Sequence, residues 1–254
     1  MKLDRPTQEL LIATASPIGV LVIWQLLSNA GILDARYVPS PLRIVEAAVA
    51  LSNTGELWRD IGASLYRLAI GFVLGSVPGI FIGISMGINR YLRAALDPLI
   101  AATYPIPKIA VLPLLMLVFG IGDGSKIAVV AISVLLLTII NTLAGVRGID
   151  RIYFDVARNY NTPWHKLFLR VIVPGALPTI FSGLRISLGI SLIVLVAAEF
   201  VAAQSGIGFL IWSSWETLLV EKMFVGIIVI TILGVVSTLV LRQCERYFIP
   251  WMRD

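Results

Sequence analysis

Long apolar runs set the pattern of this chain: 10–27, 68–88, 98–122, 127–146, about 178–203 and 223–241, with polar residues gathered between them. Runs of this length match the roughly 20 residues an α-helix needs to cross a bilayer core, so the pattern predicts six membrane-spanning helices and an all-α, polytopic membrane protein. Two runs are interrupted, the third by Lys108 and the fifth by Arg185 and Glu199. The first, preceded by Lys2 and Arg5, reads as a retained anchor, because it is long for a signal-peptide core and Gln8-Glu9 are unusual flanks for one.

Composition agrees with the pattern: 58% of the 254 residues are hydrophobic, 14% are charged, and no stretch is polar enough for a separate soluble domain. The whole chain, 1–254, reads as a single transmembrane domain. Lysine and arginine set its orientation. With the N-terminus inside, the inner segments hold twelve of them (Lys2, Arg5, Arg90, Arg93, Arg147, Arg151, Arg158, Lys166, Arg170, Arg242, Arg246 and Arg253) and the outer segments five (Arg36, Arg43, Arg59, Lys126 and Lys222). Positive loops stay on the cytoplasmic side, which places both termini there. The net charge of +5 is this membrane bias, and nucleic acid is not an expected partner.

Several chemistries lack their residues. Cys244 is the only thiol and His165 the only histidine, so neither a disulfide nor a zinc site of the usual kind can form within the chain. The segment GIGDGSK (120–126) falls short of the phosphate-binding pattern, with Ser125 and Ile127 at the decisive places. No cofactor is expected in this chain, and any ATP with its magnesium belongs to a partner. An intramembrane enzyme would need a paired nucleophile and base in the spans, and a lone Glu199 does not supply them. A secondary transporter not coupled to an ATPase is the alternative class, although matched halves with buried carboxylates are not evident.

Within the spans, Gly71, Gly75, Gly79, Gly83 and Gly87 form one slowly drifting stripe that lets another helix approach closely, either inside one subunit or between subunits. The third run carries Pro105, Pro107 and Pro113 around Lys108. Counted as a straight helix from Pro98, Lys108 lies about 15 Å in, near the middle of a core roughly 30 Å thick. It is either a pathway residue or a charge paired inside the bundle. Glu199 poses the same choice, with Arg67 a candidate partner.

The polar stretch DVARNYNTPWHKLFLRVIVP (155–174) reads as two helices joined by a turn. Asn161 is the non-glycine residue best suited to a left-handed helix end. Thr162 is a natural N-cap and Pro163 a natural first helical residue. The resulting elbow exposes Trp164, His165, Lys166 and Phe168 as a docking surface.

This stretch resembles the cytoplasmic "EAA" loop of ATP-binding cassette importer permeases, E-A-A-x3-G-x9-I-x-L-P: Asp155-Val156-Ala157, Asn161, Val171 and Val173-Pro174 stand in the same register, with Ala157 and Pro174 identical and Asn161 in place of glycine. YVPSP (37–41), ASLYRLAIGFVLG (63–75), LDPLIAATYPIPKIAVLPLLMLVFGIG (96–122), NTLAGVRGID (141–150), PGALPTIFSGLRISLG (174–189) and VAAEFVAAQSGIGFLI (196–211) extend the resemblance over nearly the whole chain, to the nitrate, sulfonate, taurine and bicarbonate branch. It implies a type I importer subunit of the inner membrane. Such a subunit works as a homodimer, with two ATPase subunits inside and a solute-binding protein outside, and passes a small anion. Residues 150–174 would be its coupling loop and 163–170 its coupling helix.

Overall fold

The computed structural model describes residues 5–252 and, within them, every side chain except those of 5–14, 202 and 252. Lys2 and Arg253 lie outside the described residues, and so do the side chains of Arg5, Gln8 and Glu9. The described residues are helical or in turns, with no strand among them.

Helix α1 (Arg5–Asn29) leads through a short turn to α2 (Pro41–Asn53), which opens with Pro41 in its first turn and the Ser40 hydroxyl accepting the Arg43 N–H at 3.4 Å. Helix α3 (Glu56–Ile88) begins well ahead of the apolar run at 68–88. Its early turns carry Asp60, Ser64 and Arg67, which are polar yet buried, so hydropathy alone places the helix start too late.

The third expected span is not one straight helix. Helix α4 (Arg90–Thr103) ends, a 3-10 turn follows at Lys108–Val111, and α5 (Leu112–Phe119) leaves at 90° to α4. Pro105 and Pro107 lack the N–H groups that would continue α4, and Pro113 occupies the first turn of α5, where its missing donor costs nothing. The depth assigned to Lys108 by a straight-helix count therefore does not apply.

Helix α6 (Asp123–Arg147) is followed by α7 (Arg151–Asn159), the four-residue α8 (Trp164–Leu167) and α9 (Val173–Ala202). Between α8 and α9 the backbone does not break: a π-turn at Phe168–Ile172 joins them, making one helix of 38 residues over Trp164–Val201. Pro174 accounts for that turn. It cannot donate to the Arg170 carbonyl and its ring crowds that group, so the helix widens and the Val173 N–H reaches back to Phe168 instead. Helix α10 (Ile207–Glu216) and the long α11 (Val220–Phe248) complete the chain.

Four of these helices are long and apolar enough to cross a membrane unaided, or five if the bent α4–α5 pair is one span; in α1 the described apolar portion, Ala15–Asn29, is shorter. The expectation of six spans differs from this count at those two places, the broken third run and the first helix.

The core lies where α3, α6 and α9 pack together, through Leu68, Val130, Val134, Leu188 and Leu195 in one cluster and Ile84, Val146, Ile172, Ala176 and Ile180 in another. The glycine stripe is the α3–α6 contact within the subunit. A Cβ on Gly79 would lie 2.8 Å from Cβ of Thr138, one on Gly83 2.6 Å from Cβ of Thr142, and Gly75 presses against Ala131 and Val134. In lipid, where apolar burial drives little association, such close backbone approach is what holds helices together. Gly83→Leu therefore separates α3 from α6, and a cost of about 3 kcal/mol or more is expected, at the upper end for overpacking because backbone rather than flexible side chain must give way. The measurement is the yield of monodisperse protein in detergent, which falls sharply; wild-type yield would refute the seam.

Candidate functional site

The elbow is built by its hydrogen bonds. The Asp150 carboxylate accepts the Ile152 N–H at 3.0 Å and starts α7. At the other end Asn161 takes φ 46, the Thr162 N–H donates to the Ala157 carbonyl at 2.8 Å and the Asn161 N–H to that of Arg158 at 3.0 Å. That pair of bonds is the Schellman arrangement for closing a helix. The left-handed residue is thus the asparagine that stands at the glycine position of the EAA pattern.

Two local details differ from expectation. Thr162 does not cap the second helix, which starts one residue later: Pro163, with extended ψ 147, is the N-cap, and its carbonyl accepts the Lys166 and Leu167 N–H groups. Phe168 is not exposed. It is half-buried and packs with Phe154 and Leu167 against the cluster holding Val146 and Ile172, since the π-turn rotates it inward.

Trp164 remains 56% exposed, beside exposed Pro163, His165 and Lys166. Asp155 is exposed on α7, Ala157 is buried, and Pro174 is half-buried at the head of α9. A cavity of about 400 Å³ opens in the elbow between Phe154, Ala157, Arg158, Asn161, Thr162 and Leu167. Arg151, Arg158, Lys166 and Arg170 are exposed, and none of them is in an ion pair among the described residues. The elbow is therefore a cationic surface from which several large apolar and aromatic side chains project, Trp164 with Ile152, Tyr153, Tyr160 and Leu169. Asn161→Gly keeps the turn, whereas Asn161→Val, β-branched at positive φ, costs about 1 kcal/mol or more and lowers the thermal unfolding midpoint of the protein in detergent. Equal midpoints for the two would contradict the left-handed closure.

The two interior charges singled out in the sequence fall in separate networks. Lys108 folds back over the bend: its Nζ donates to the carbonyls of Thr103 at 2.8 Å, Tyr104 at 3.0 Å and Ile106 at 2.8 Å. All three of its donors end on backbone carbonyls of the segment 103–106, where α4 gives way to the bend. Lys126 does the same for the turn between α5 and α6, donating to Ile121 at 2.8 Å and Gly122 at 3.0 Å from a nearly inaccessible position.

Glu199 is completely buried and is bonded on every side. Arg67 Nη1 donates to it at 2.6 Å, the Ser64 hydroxyl at 2.9 Å, and the Gly208 N–H at 2.8 Å. The same guanidinium donates from Nε to Asp123 at 2.7 Å and from Nη1 to the Ser205 carbonyl at 2.7 Å. Asp60, also fully buried, accepts the Gly206 N–H at 3.0 Å, and the Ser64 hydroxyl accepts that of Ile207 at 2.8 Å. Arg67 is thus the partner of Glu199. Asp60, Ser64, Asp123 and Ser205 are members that hydropathy did not point to. Their signal was the spacing of Asp60, Ser64 and Arg67, which puts three polar residues on one face of an apolar helix. Among the described residues, no group of three or more His, Cys, Asp or Glu could hold a metal.

The sequence profile of the binding-protein-dependent transport system inner membrane component family matches residues 79–254. The chain belongs to that family. This permease is 37% identical over 235 residues to the aliphatic sulfonates transport permease protein SsuC of Bacillus subtilis, covering 92% of this chain and 85% of that one. It is 33% identical to the taurine transport system permease protein TauC of Escherichia coli, covering 91% and 86% of the two chains. It is also 33% identical to the bicarbonate transport system permease protein CmpB of Synechococcus elongatus, covering 94% and 90%. Among solved structures, an amino acid ABC transporter crystallised with histidines matches the permease fold with a TM-score of 0.59 at 16% identity, over 81% of this chain and 98% of that one. The permease is a transport component of the ABC importer class, multi-pass in the inner membrane.

Proposed function

We propose that the permease forms, with a second copy of itself, the route by which a small anion crosses the membrane, and that the elbow at 150–174 couples this route to an ATPase. The observation that carries the reading is the elbow. A left-handed turn at Asn161, in the register of the EAA pattern, projects Trp164 from a cationic surface at the head of an unbroken helix. With the elbow and both termini on the cytoplasmic side, a partner ATPase reaches Trp164 and the surrounding residues Asp155, Asn161, Pro163, His165 and Lys166. The ATP and magnesium bind there, on the partner. ATP drives the cycle because it favours the closed ATPase pair, which draws two elbows together and shifts the permease pair from inward-open to outward-open; a ligand moves an equilibrium only through such differential affinity.

A solute-binding protein delivers the anion on the outer side. The relatives' names support a sulfonate, taurine or bicarbonate type of solute. Lys108 and Glu199 hold backbone in place at the bend and at the outer end of α9, since their charges are already spent on protein groups. The experiment is co-purification of the permease with a candidate ATPase, followed by ATP hydrolysis measured with binding protein loaded with an alkanesulfonate, taurine or bicarbonate. Stimulation by one of these supports the reading, and an ATPase that neither binds nor responds contradicts it.

A further inference from the structure

The first three backbone N–H groups at the start of α10, those of Gly206, Ile207 and Gly208, donate to Asp60, Ser64 and Glu199 in turn. The segment supplies no side-chain cap of its own. The position of α10 is therefore set by side chains of α3 and α9, through groups a helix start must satisfy somewhere. The fit is close. Gly206 has φ +116 and its missing Cβ would collide with the Glu199 carboxylate and the Arg67 guanidinium, and a Cβ on Gly208 would lie 2.7 Å from that of Glu199. Arg67 draws α6 into the same contact through Asp123, whose side chain is 52% exposed.

Helix α9 has the elbow at its other end. From Trp164 to Glu199 the backbone is one helix, roughly 50 Å long at 1.5 Å per residue. At the far end of α10, Trp215 lines a groove of about 660 Å³ with Leu218, Arg36, Tyr37 and Arg43. Leu218 stands there at φ 56. One connected body thus runs from Trp164 at the elbow, along α9, across the buried clamp, and into the helix that walls this groove.

We propose that Asp60, Ser64 and Arg67 are positioning residues for transport: by clamping the start of α10 to Glu199, they make α9 and α10 move together, so that binding protein on the outer face and ATPase on the elbow sense each other. The proposal rests on the elbow being the ATPase site. Coupling between distant sites needs an element that both of them bias, and the α9–α10 unit is that element.

The test uses the reconstituted complex of permease, ATPase and binding protein, with complex yield, basal ATP hydrolysis and hydrolysis stimulated by solute-loaded binding protein measured together. Ser64→Ala and Asp60→Ala each remove a cap from α10 while leaving the Arg67–Glu199 pair; Asp60→Asn retains an oxygen able to accept the Gly206 N–H. Under the proposal the two alanine variants assemble normally and hydrolyse ATP at the basal rate, but stimulation falls about tenfold, as expected for the loss of a hydrogen bond to a buried acceptor. Asp60→Asn keeps stimulation near wild type. Wild-type stimulation in both alanine variants at normal yield overturns the proposal. So does a loss of assembly in both, which marks the clamp as structural only. If the wild-type complex itself fails to form or to respond, the reading of the elbow has failed, not the clamp.

Discussion

Trp164→Asp leaves the permease inserted but releases its ATPase from the detergent-solubilised complex. The indole projects from a helix end and is 56% exposed. Large aromatic side chains in that position are the usual anchors of protein interfaces, and their removal typically costs about 2 kcal/mol or more, roughly thirtyfold in affinity. An aspartate also places a charge where the proposed docking buries an indole. Transport falls with docking, while permease yield does not, because Trp164 contributes nothing to the core clusters. The measurement is the ratio of ATPase to permease after affinity purification, read beside uptake in reconstituted vesicles. An unchanged ratio with unchanged uptake would remove the elbow from the docking surface.

Arg67→Ala acts in the opposite sense and prevents the permease from accumulating in folded form. Glu199 is fully buried, and Arg67, Ser64 and Gly208 all donate hydrogen bonds to its carboxylate. Removing one partner of a buried ion pair costs about 3–5 kcal/mol, since an uncompensated charge is left behind. The loss also frees the Ser205 carbonyl and the exposed Asp123. Arg67→Ala combined with Glu199→Gln removes the orphaned charge and recovers part of the lost stability, which an independent pair of mutations would not do. Thermal unfolding in detergent checks both statements: a large fall in midpoint for the single variant, and a smaller one for the double variant.

What the sequence made legible follows from which signals are local. The turn at Asn161 was readable because left-handed closure depends on the residue itself and its immediate neighbours, and φ 46 agrees with that reading. The glycine stripe was readable for the same reason, although only the packing against Thr138 and Thr142 decides that its partner is α6 of the same chain. The spans at 127–146 and 223–241 correspond to α6 and α11, where uninterrupted apolar residues leave no competing signal. Reading failed where a helix is interrupted by its own backbone chemistry. Prolines at 105 and 107 were visible, but the 90° bend they permit depends on Lys108 closing it with backbone bonds across the gap. The π-turn hid Phe168 in the same way, as the rotation that buries it arises from Pro174, six residues further on. The clamp was half visible: Glu199 stood out as a charge in an apolar run, but Asp60 and Ser64 lay before the run where the span was placed. Only the fold brings them to α10.

We propose that this chain is the membrane route of an ATP-driven, binding-protein-dependent importer. The direct test is uptake of a radiolabelled sulfonate, taurine or bicarbonate into vesicles holding the permease with its ATPase, with the binding protein outside and ATP inside. Uptake should require the ATPase, ATP and the binding protein together, and should persist when ion gradients are collapsed. Gradient-driven uptake by the permease alone, with no response to ATP, would contradict an ATP-driven importer.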